Sequence, residues 1–201
     1  MRHVVHESKK KDIMIKYDAT AEGYDELYRD EQYAKYAKAA EALAKTLSSC
    51  RHSPSCRLCD IGCGTGLLIE YMAEAGLPQP SHYICIDLSI NMLRHAKQRS
   101  KRHAAPLIDI IQGDAEHLPL RRKTCRIAVS FTVIDLVEDP ARMLSECDHV
   151  SDTCIVSRLK KAMRNHSREL RVGSYLAETD KDIVFIRRAG SAPGNNTGKN
   201  P

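Results

Sequence analysis

The stretch LCDIGCGTGLL, residues 58–68, constrains the fold of this chain more than any other. A short apolar run, Arg57 to Ile61, reads as a strand and stops at Gly62-Cys63-Gly64-Thr65-Gly66. A helix-like segment starts at Leu67. Strand, glycine turn and helix make the first crossover of a nucleotide-type α/β fold, because glycines accept positive φ and let a ligand approach the main chain. The spacing is GxGxG; Leu67 stands where a GxGxxG loop carries its last glycine. Asp60 precedes the first glycine by two residues. A carboxylate there repels a pyrophosphate and suits a cation, such as the amino group of an amino-acid moiety.

The chain around this turn alternates strand-like and helix-like stretches. Gln32 to Leu47 has a strong helix composition, with Tyr33, Tyr36, Ala37, Ala40, Leu43, Ala44 and Leu47 on one face. Leu67 to Ala75 reads as a helix closed by Gly76, and Ser89 caps a helix running through Ser100. Pro140 to Cys147 and Leu159 to Arg168 look helical too. Strands are expected at His82 to Asp87, Leu107 to Gln112, Cys125 to Phe131 and Thr153 to Ser157. Val172 to Ala177 and Asp182 to Arg187 then form a hairpin. The pattern predicts a Rossmann-like, doubly wound, mostly parallel seven-stranded sheet with helices on both faces and an antiparallel C-terminal hairpin. At 201 residues, 42% apolar and 28% charged, one domain is expected over residues 17–188. A loosely ordered arm, residues 1–16, would precede it, and a disordered Gly-, Asn- and Pro-rich tail, residues 189–201, would follow.

Two further acids end strands. Asp87 lies 27 residues beyond Asp60 at the end of the second expected strand, where a carboxylate can accept both hydroxyls of a ribose. Asp114, in IQGDAEHLP, is placed to accept from an adenine amino group, while the Ala115 N–H meets a ring nitrogen. Three strand-end acids around one glycine loop describe a pocket for a ribose, an adenine and a cationic amino acid.

These residues resemble the class I S-adenosylmethionine-dependent methyltransferases, in particular the small type-11 branch that includes ubiquinone/menaquinone-type enzymes. LCDIGCGTG is similar to the first motif of that family, YICIDLSINML to the second, IQGDAEHLP to the third and VSFTVIDLVEDP to the fourth. The resemblance covers residues 17–157. It implies that S-adenosyl-L-methionine is the cofactor and that Gly62, Cys63, Gly64 and Gly66 line its methionine part, with Asp60 supporting the loop. It further implies that Asp87 and Leu88 meet the ribose, that Met92, Asp114 and Ala115 meet the adenine, and that Ser130 offers its carbonyl to the amino group. The run YDATAEGYDELY resembles the element that closes over the cofactor in that family, which makes Tyr17 and Tyr24 contact candidates. A nicotinamide-dependent oxidoreductase is disfavoured by Leu67 and Asp60. A non-catalytic subunit binding a partner protein or RNA is disfavoured by the intact glycines and acids.

The acceptor is not written in these motifs. SFTVIDLV departs from the Asn/Asp-Pro-Pro-Tyr/Phe run of enzymes that methylate planar amino groups, which argues against those classes. Asp135 is a weak catalytic candidate and His117 a weaker one; both have a structural alternative. The formal charge of +5 is mild. Arg158, Lys160, Lys161, Arg164, Arg168 and Arg171 form a basic group that is either a solvated face or a landing surface for an anionic substrate or RNA. A second basic group, Arg94, Lys97, Arg99, Lys101 and Arg102, complements a helix dipole. Little room remains for a substrate lid, so an activating protein partner is a further expectation. The eight cysteines argue against a disulfide scaffold. Cys56-x-x-Cys59 looks like a metal half-site, but Cys59 sits in an expected buried strand and Cys63 in the loop; small buried hydrophobes are the better account, and no metal is expected. The polar, basic start lacks an apolar signal core and no run is long enough to span a bilayer, so a cytoplasmic chain without membrane insertion is expected.

Overall fold

The computed structural model describes residues 9–103, 107–164, 170 and 172–189. Two helices come first, α1 (Lys9–Thr20) and α2 (Tyr24–Ser48). The alternation follows: β1 (Arg57–Ile61), α3 (Leu67–Glu74), β2 (His82–Asp87), α4 (Ile90–Arg102), β3 (Leu107–Gln112), β4 (Cys125–Phe131), α5 (Pro140–Val150) and β5 (Ser151–Leu159). A short α6 (Lys160–Arg164) and the hairpin β6 (Ser174–Glu178) and β7 (Asp182–Arg188) complete it. The seven strands run in the order β3-β2-β1-β4-β5-β7-β6. The first five pair in parallel, and β7 is antiparallel to both β5 and β6. The expected architecture is the one that forms.

The sheet is buried on both faces, and strand alternation sorts its side chains into two cores. Leu58, Tyr83, Cys85, Ile127, Val129 and Ile155 face α2, α3 and α4, joining Leu43, Leu47, Leu68 and Met72. Cys59, Ile61, Ile84, Ile86, Ala128 and Val156 face the other way, onto Met143, Leu144, Cys147 and Val150 of α5. This is why the central strands read as continuous apolar runs rather than as alternating ones.

Several boundaries differ from the sequence reading. Residues 9–16 do not belong to a loose arm; they open α1, which buries no residue fully and is held by polar contacts. Residues 1–8 and the tail beyond Ala189 lie outside the described residues. Helix α2 begins at Tyr24, where Asp25 and Glu26 in its first turn complement the positive end of the helix dipole. Its buried stripe is Gln32, Lys35, Tyr36, Ala39, Leu43 and Leu47, and Ala37 is exposed. The face is thus rotated toward two polar residues that an apolar pattern cannot select. Leu159 ends β5 rather than opening a helix, and the expected helical residues 165–168 lie outside the described residues. Cys50 and Cys56 are joined in a disulfide, against the expectation of free cysteines. The other six, Cys59, Cys63, Cys85, Cys125, Cys147 and Cys154, are free and buried. Among the described residues, no helix is long and apolar enough to cross a membrane.

Candidate functional site

The glycine turn joins β1 to α3 at the carboxyl edge of the sheet, the edge at which open α/β sheets hold ligands. It is fixed from β2: the N–H groups of Gly62 and Cys63 donate to the Ile86 carbonyl at 2.7 and 3.0 Å. Gly62, Gly64 and Gly66 all have positive φ. At Gly66 a Cβ would meet Ala96 of α4 at 3.1 Å, so this glycine lets two helices close on each other. At Gly64 a Cβ would meet nothing within 4 Å; the absent side chain leaves the main chain open toward the cavity.

That cavity has a volume of about 780 Å³, within the range of roughly 300–1,000 Å³ usual for small-molecule sites. Of the expected site residues, Tyr17, Tyr24, Gly62, Gly64, Asp87, Leu88, Met92, Asp114 and Ala115 line it. Asp87 accepts from the Gly64 N–H at 2.8 Å and the Ser89 N–H at 2.9 Å, so it shapes the glycine loop from across the cavity. Burial raises its pKa against the effect of those hydrogen bonds. Ser89 in turn caps α4, its hydroxyl accepting from the Met92 N–H at 3.1 Å.

The other expected residues lie elsewhere. Asp60, Cys63 and Gly66 do not reach the main cavity. Asp60 is buried beneath the loop beside Cys63, with one carboxylate oxygen taken by the Tyr83 hydroxyl at 2.7 Å. Burial lifts its pKa to about 7; the Tyr83 hydrogen bond opposes the rise and Asp87 adds to it. Ser130 is buried in β4 and its hydroxyl donates to the Ile61 carbonyl at 2.8 Å. Asp135 is withdrawn from the site: one oxygen accepts from Arg158 Nε at 2.9 Å and the other from the Leu159 N–H at 2.8 Å. The same pair removes Arg158 from the expected basic face, since that side chain is buried. His117 is exposed and off the cavity, 3.4 Å from Asp114. Lys160 and Lys161 do line the mouth. Arg164 ends α6; its side chain, Arg168 and Arg171 lie outside the described residues.

Helix α1 roofs the cavity. Lys10 reaches Asp114 at 2.7 Å and Glu116 at 2.9 Å, and burial does not outweigh these contacts, which hold Asp114 below its ordinary pKa. At the other end Asp18 accepts from the Ser89 hydroxyl and from the Asn91 N–H at 3.1 Å. Behind Glu31 and Thr132, which line the cavity, the Lys35 side chain is fully buried, its ammonium 2.9 Å from Glu31, 2.6 Å from the Thr132 hydroxyl and 3.3 Å from Asp182. Thr132, just past β4, lines the cavity at φ +66°, a conformation a β-branched residue rarely holds. Glu31 also accepts from Lys181 at 2.7 Å. Sequence reasoning missed Lys10, Glu31, Gln32, Lys35 and Thr132. The only signal for the three on α2 is that Tyr24, Tyr28, Glu31, Gln32 and Lys35 share a helical face; Lys10 and Thr132 carry none.

A parallel sheet in this strand order, with an open glycine turn after β1 and an acid ending β2, defines a Rossmann-like methyltransferase fold. The comparisons agree. A family model described as a methyltransferase domain matches residues 59–153. A malonyl-[acyl-carrier protein] O-methyltransferase of Methylococcus capsulatus is 30% identical over 143 residues, 70% of this chain and 48% of that protein. Another with the same name, from Geobacter sulfurreducens, is 34% identical over 95 residues, 47% of this chain and 34% of that protein. A crystal structure of an S-adenosylmethionine-dependent methyltransferase from Aquifex aeolicus superposes with a TM-score of 0.52 at 13% identity, covering 76% of each chain. A Methanococcus maripaludis structure titled as a methyltransferase of this kind gives 0.60 at 18% identity, covering 84% of this chain and 91% of that one; at such identities the two structures speak for the fold. Residues 59–153 thus match a methyltransferase domain, and S-adenosylmethionine is the cofactor expected for it. The chain spans less than half the length of the curated relatives it matches.

Proposed function

We propose that the protein transfers a methyl group from S-adenosylmethionine to an anionic acceptor at the lysine-lined mouth of the cavity. The observation that carries the reading is the Gly64 turn, left open to the cavity and braced by the Asp87 carboxylate. In this reading Asp87 and Leu88 hold the ribose. Met92, Asp114 and Ala115 surround the adenine, and Tyr17 and Tyr24 close the roof. When bound, the cofactor supplies an electrophilic methyl group on a sulfonium.

The chain's own part is to align the acceptor and exclude water, since positioning supplies much of the acceleration in such a displacement. An acceptor that arrives ionised would need no general base, so the chain would have only to hold its oxygen in line with the methyl group that the bound cofactor would supply. The arrangement suits such an acceptor. Asp135 is spent on Arg158, and Glu31 is held by Lys35 and Lys181. Lys161 stands exposed at the mouth. The relatives named for O-methylation of a malonyl group act on a carboxylate-bearing acceptor, which supports the same class.

Titration calorimetry tests the cofactor: micromolar binding of S-adenosylhomocysteine with none for NADH is expected. No binding of either compound would favour a non-catalytic scaffold. Incubation with methyl-labelled cofactor and fractionated extract tests the acceptor. Label entering an acidic small-molecule or carrier-bound fraction supports the reading, and label in RNA sinks it.

A further inference from the structure

Glu31, Lys35, Lys181 and Asp182 form a square of alternating charge between α2 and the turn that joins β6 to β7. Glu31 and Lys35 stand one helical turn apart on α2 and pair through one Glu31 oxygen at 2.9 Å. Lys181 takes the other Glu31 oxygen at 2.7 Å, and Asp182, the next residue in the chain, lies 3.3 Å from Lys35. The turn is held by its own hydrogen bonds. The Thr179 hydroxyl accepts from the Asp182 N–H at 3.0 Å, and the Lys181 carbonyl accepts from the Lys160 N–H at 2.8 Å.

The two halves of the square differ in exposure. The side chains of Lys35 and Asp182 are fully buried, whereas those of Glu31 and Lys181 are 22% and 68% exposed. Breaking a buried pair strands a charge, but an exposed pair contributes little because water and salt screen it. Glu31 keeps Lys35 if Lys181 leaves, so the outer bond can be exchanged while the inner half stays in place. Glu31 and Lys181 both line the cavity, and so do Lys160 and Lys161. Lys160 is engaged by Glu178 at 3.3 Å, and Lys161 follows it on the five-residue α6. Lys181 differs from both: its backbone is tied down, and its ammonium already holds a carboxylate at the cavity wall.

We infer that Lys181 is the specificity-determining residue for the acceptor: an incoming carboxylate takes its ammonium from Glu31, and Glu31, still held by Lys35, is the internal competitor that the acceptor displaces. The inference rests on the proposed transfer to an anionic acceptor and names the residue that selects it. An uncharged analogue of the same shape gains nothing from the exchange and leaves the bond between Glu31 and Lys181 closed.

The test is calorimetry on protein saturated with S-adenosylhomocysteine, using two probes of similar shape, malonate and its uncharged diamide, malonamide. Wild-type protein is expected to prefer malonate. Lys181→Met should weaken malonate about tenfold, the loss of one charge-assisted hydrogen bond. Glu31→Gln removes the competing charge and keeps an oxygen for Lys35; it should tighten malonate about threefold, the scale of an exposed ion pair. Undiminished malonate binding in Lys181→Met overturns the inference. So does malonate that binds no tighter to Glu31→Gln, since Glu31 is then no competitor. A parallel fall in the affinity of Lys181→Met for S-adenosylhomocysteine overturns it too, because that marks Lys181 as merely structural. Thermal melts of both variants establish that they fold. Wild-type protein that binds S-adenosylhomocysteine but does not prefer malonate would instead remove the anionic acceptor from the proposed function.

Discussion

Asp60 shows what burying an acid beneath the glycine loop does to its protonation. Burial raises its pKa from 3.8 to about 7, so between these values the folded protein binds a proton that the unfolded chain has released. By linkage, stability present at low pH is lost as pH rises toward 7. A bound ammonium reverses the preference by favouring the ionised carboxylate. S-adenosylhomocysteine should therefore raise the melting temperature more at pH 8 than at pH 6, with Asp60→Asn removing the difference. An equal rise at both pH values in the wild type would place the ammonium elsewhere. Asp60 was legible in the sequence because an acid beside a glycine turn is an unusual neighbour. Gln32 was not: within a helix rich in Ala, Lys and Glu, one more polar residue reads as solvated surface. Only the tertiary placement of α2 over the loop buries it.

Arg99 was read from sequence as one of several basic residues complementing the end of α4. It is instead a joint between elements. Its guanidinium donates to Glu70 of α3 at 2.8 Å, to Asp25 of α2 and to the Thr65 carbonyl of the glycine loop. The Thr65 hydroxyl closes the ring onto Asp25 at 2.6 Å. Burial alone would raise the pKa of Glu70, but hydrogen bonds from Tyr33, Arg99 and Arg29 outweigh it and hold it near 2. Arg99→Met should lower stability by about 2–3 kcal/mol, the scale of a lost charge-assisted hydrogen bond, read as a lower urea midpoint with an unchanged slope. A midpoint unmoved by the substitution would show that Arg29 and Tyr33 satisfy Glu70 without Arg99. The elements that sequence placed well, β1 to β5 and α3 to α5, carry their own apolar runs or periods. Helix α1 does not: it buries no residue fully, and Lys10 and Asp18 tie it to partners 104 and 73 residues distant, respectively. No local pattern encodes such contacts.

The Cys50–Cys56 disulfide and the candidate site lie at opposite edges of the sheet. The Cys50–Cys56 bridge lies in the loop that feeds β1, and Ser81, just before β2, donates to the Cys56 carbonyl at 2.8 Å. This is the amino edge. The glycine turn leaves β1 at its other end, five residues on and about 16 Å away at the usual strand rise. Closing a loop of six residues' separation removes little chain entropy, so the bridge is worth about 2 kcal/mol at most. The intervening strand is held on both sides, by β2 through Arg57 to Ile61 and by β4 through Leu58 to Asp60. A change at its start is therefore absorbed before it reaches Gly62. Replacing Cys50 and Cys56 together by alanine should lower the unfolding free energy by no more than this amount. The affinity for S-adenosylhomocysteine should stay within about twofold of wild type, well under the tenfold that 1.4 kcal/mol represents. A tenfold loss of affinity in the folded variant would mean that the amino-edge loop sets the conformation of the glycine turn through β1, and that the two edges are not independent.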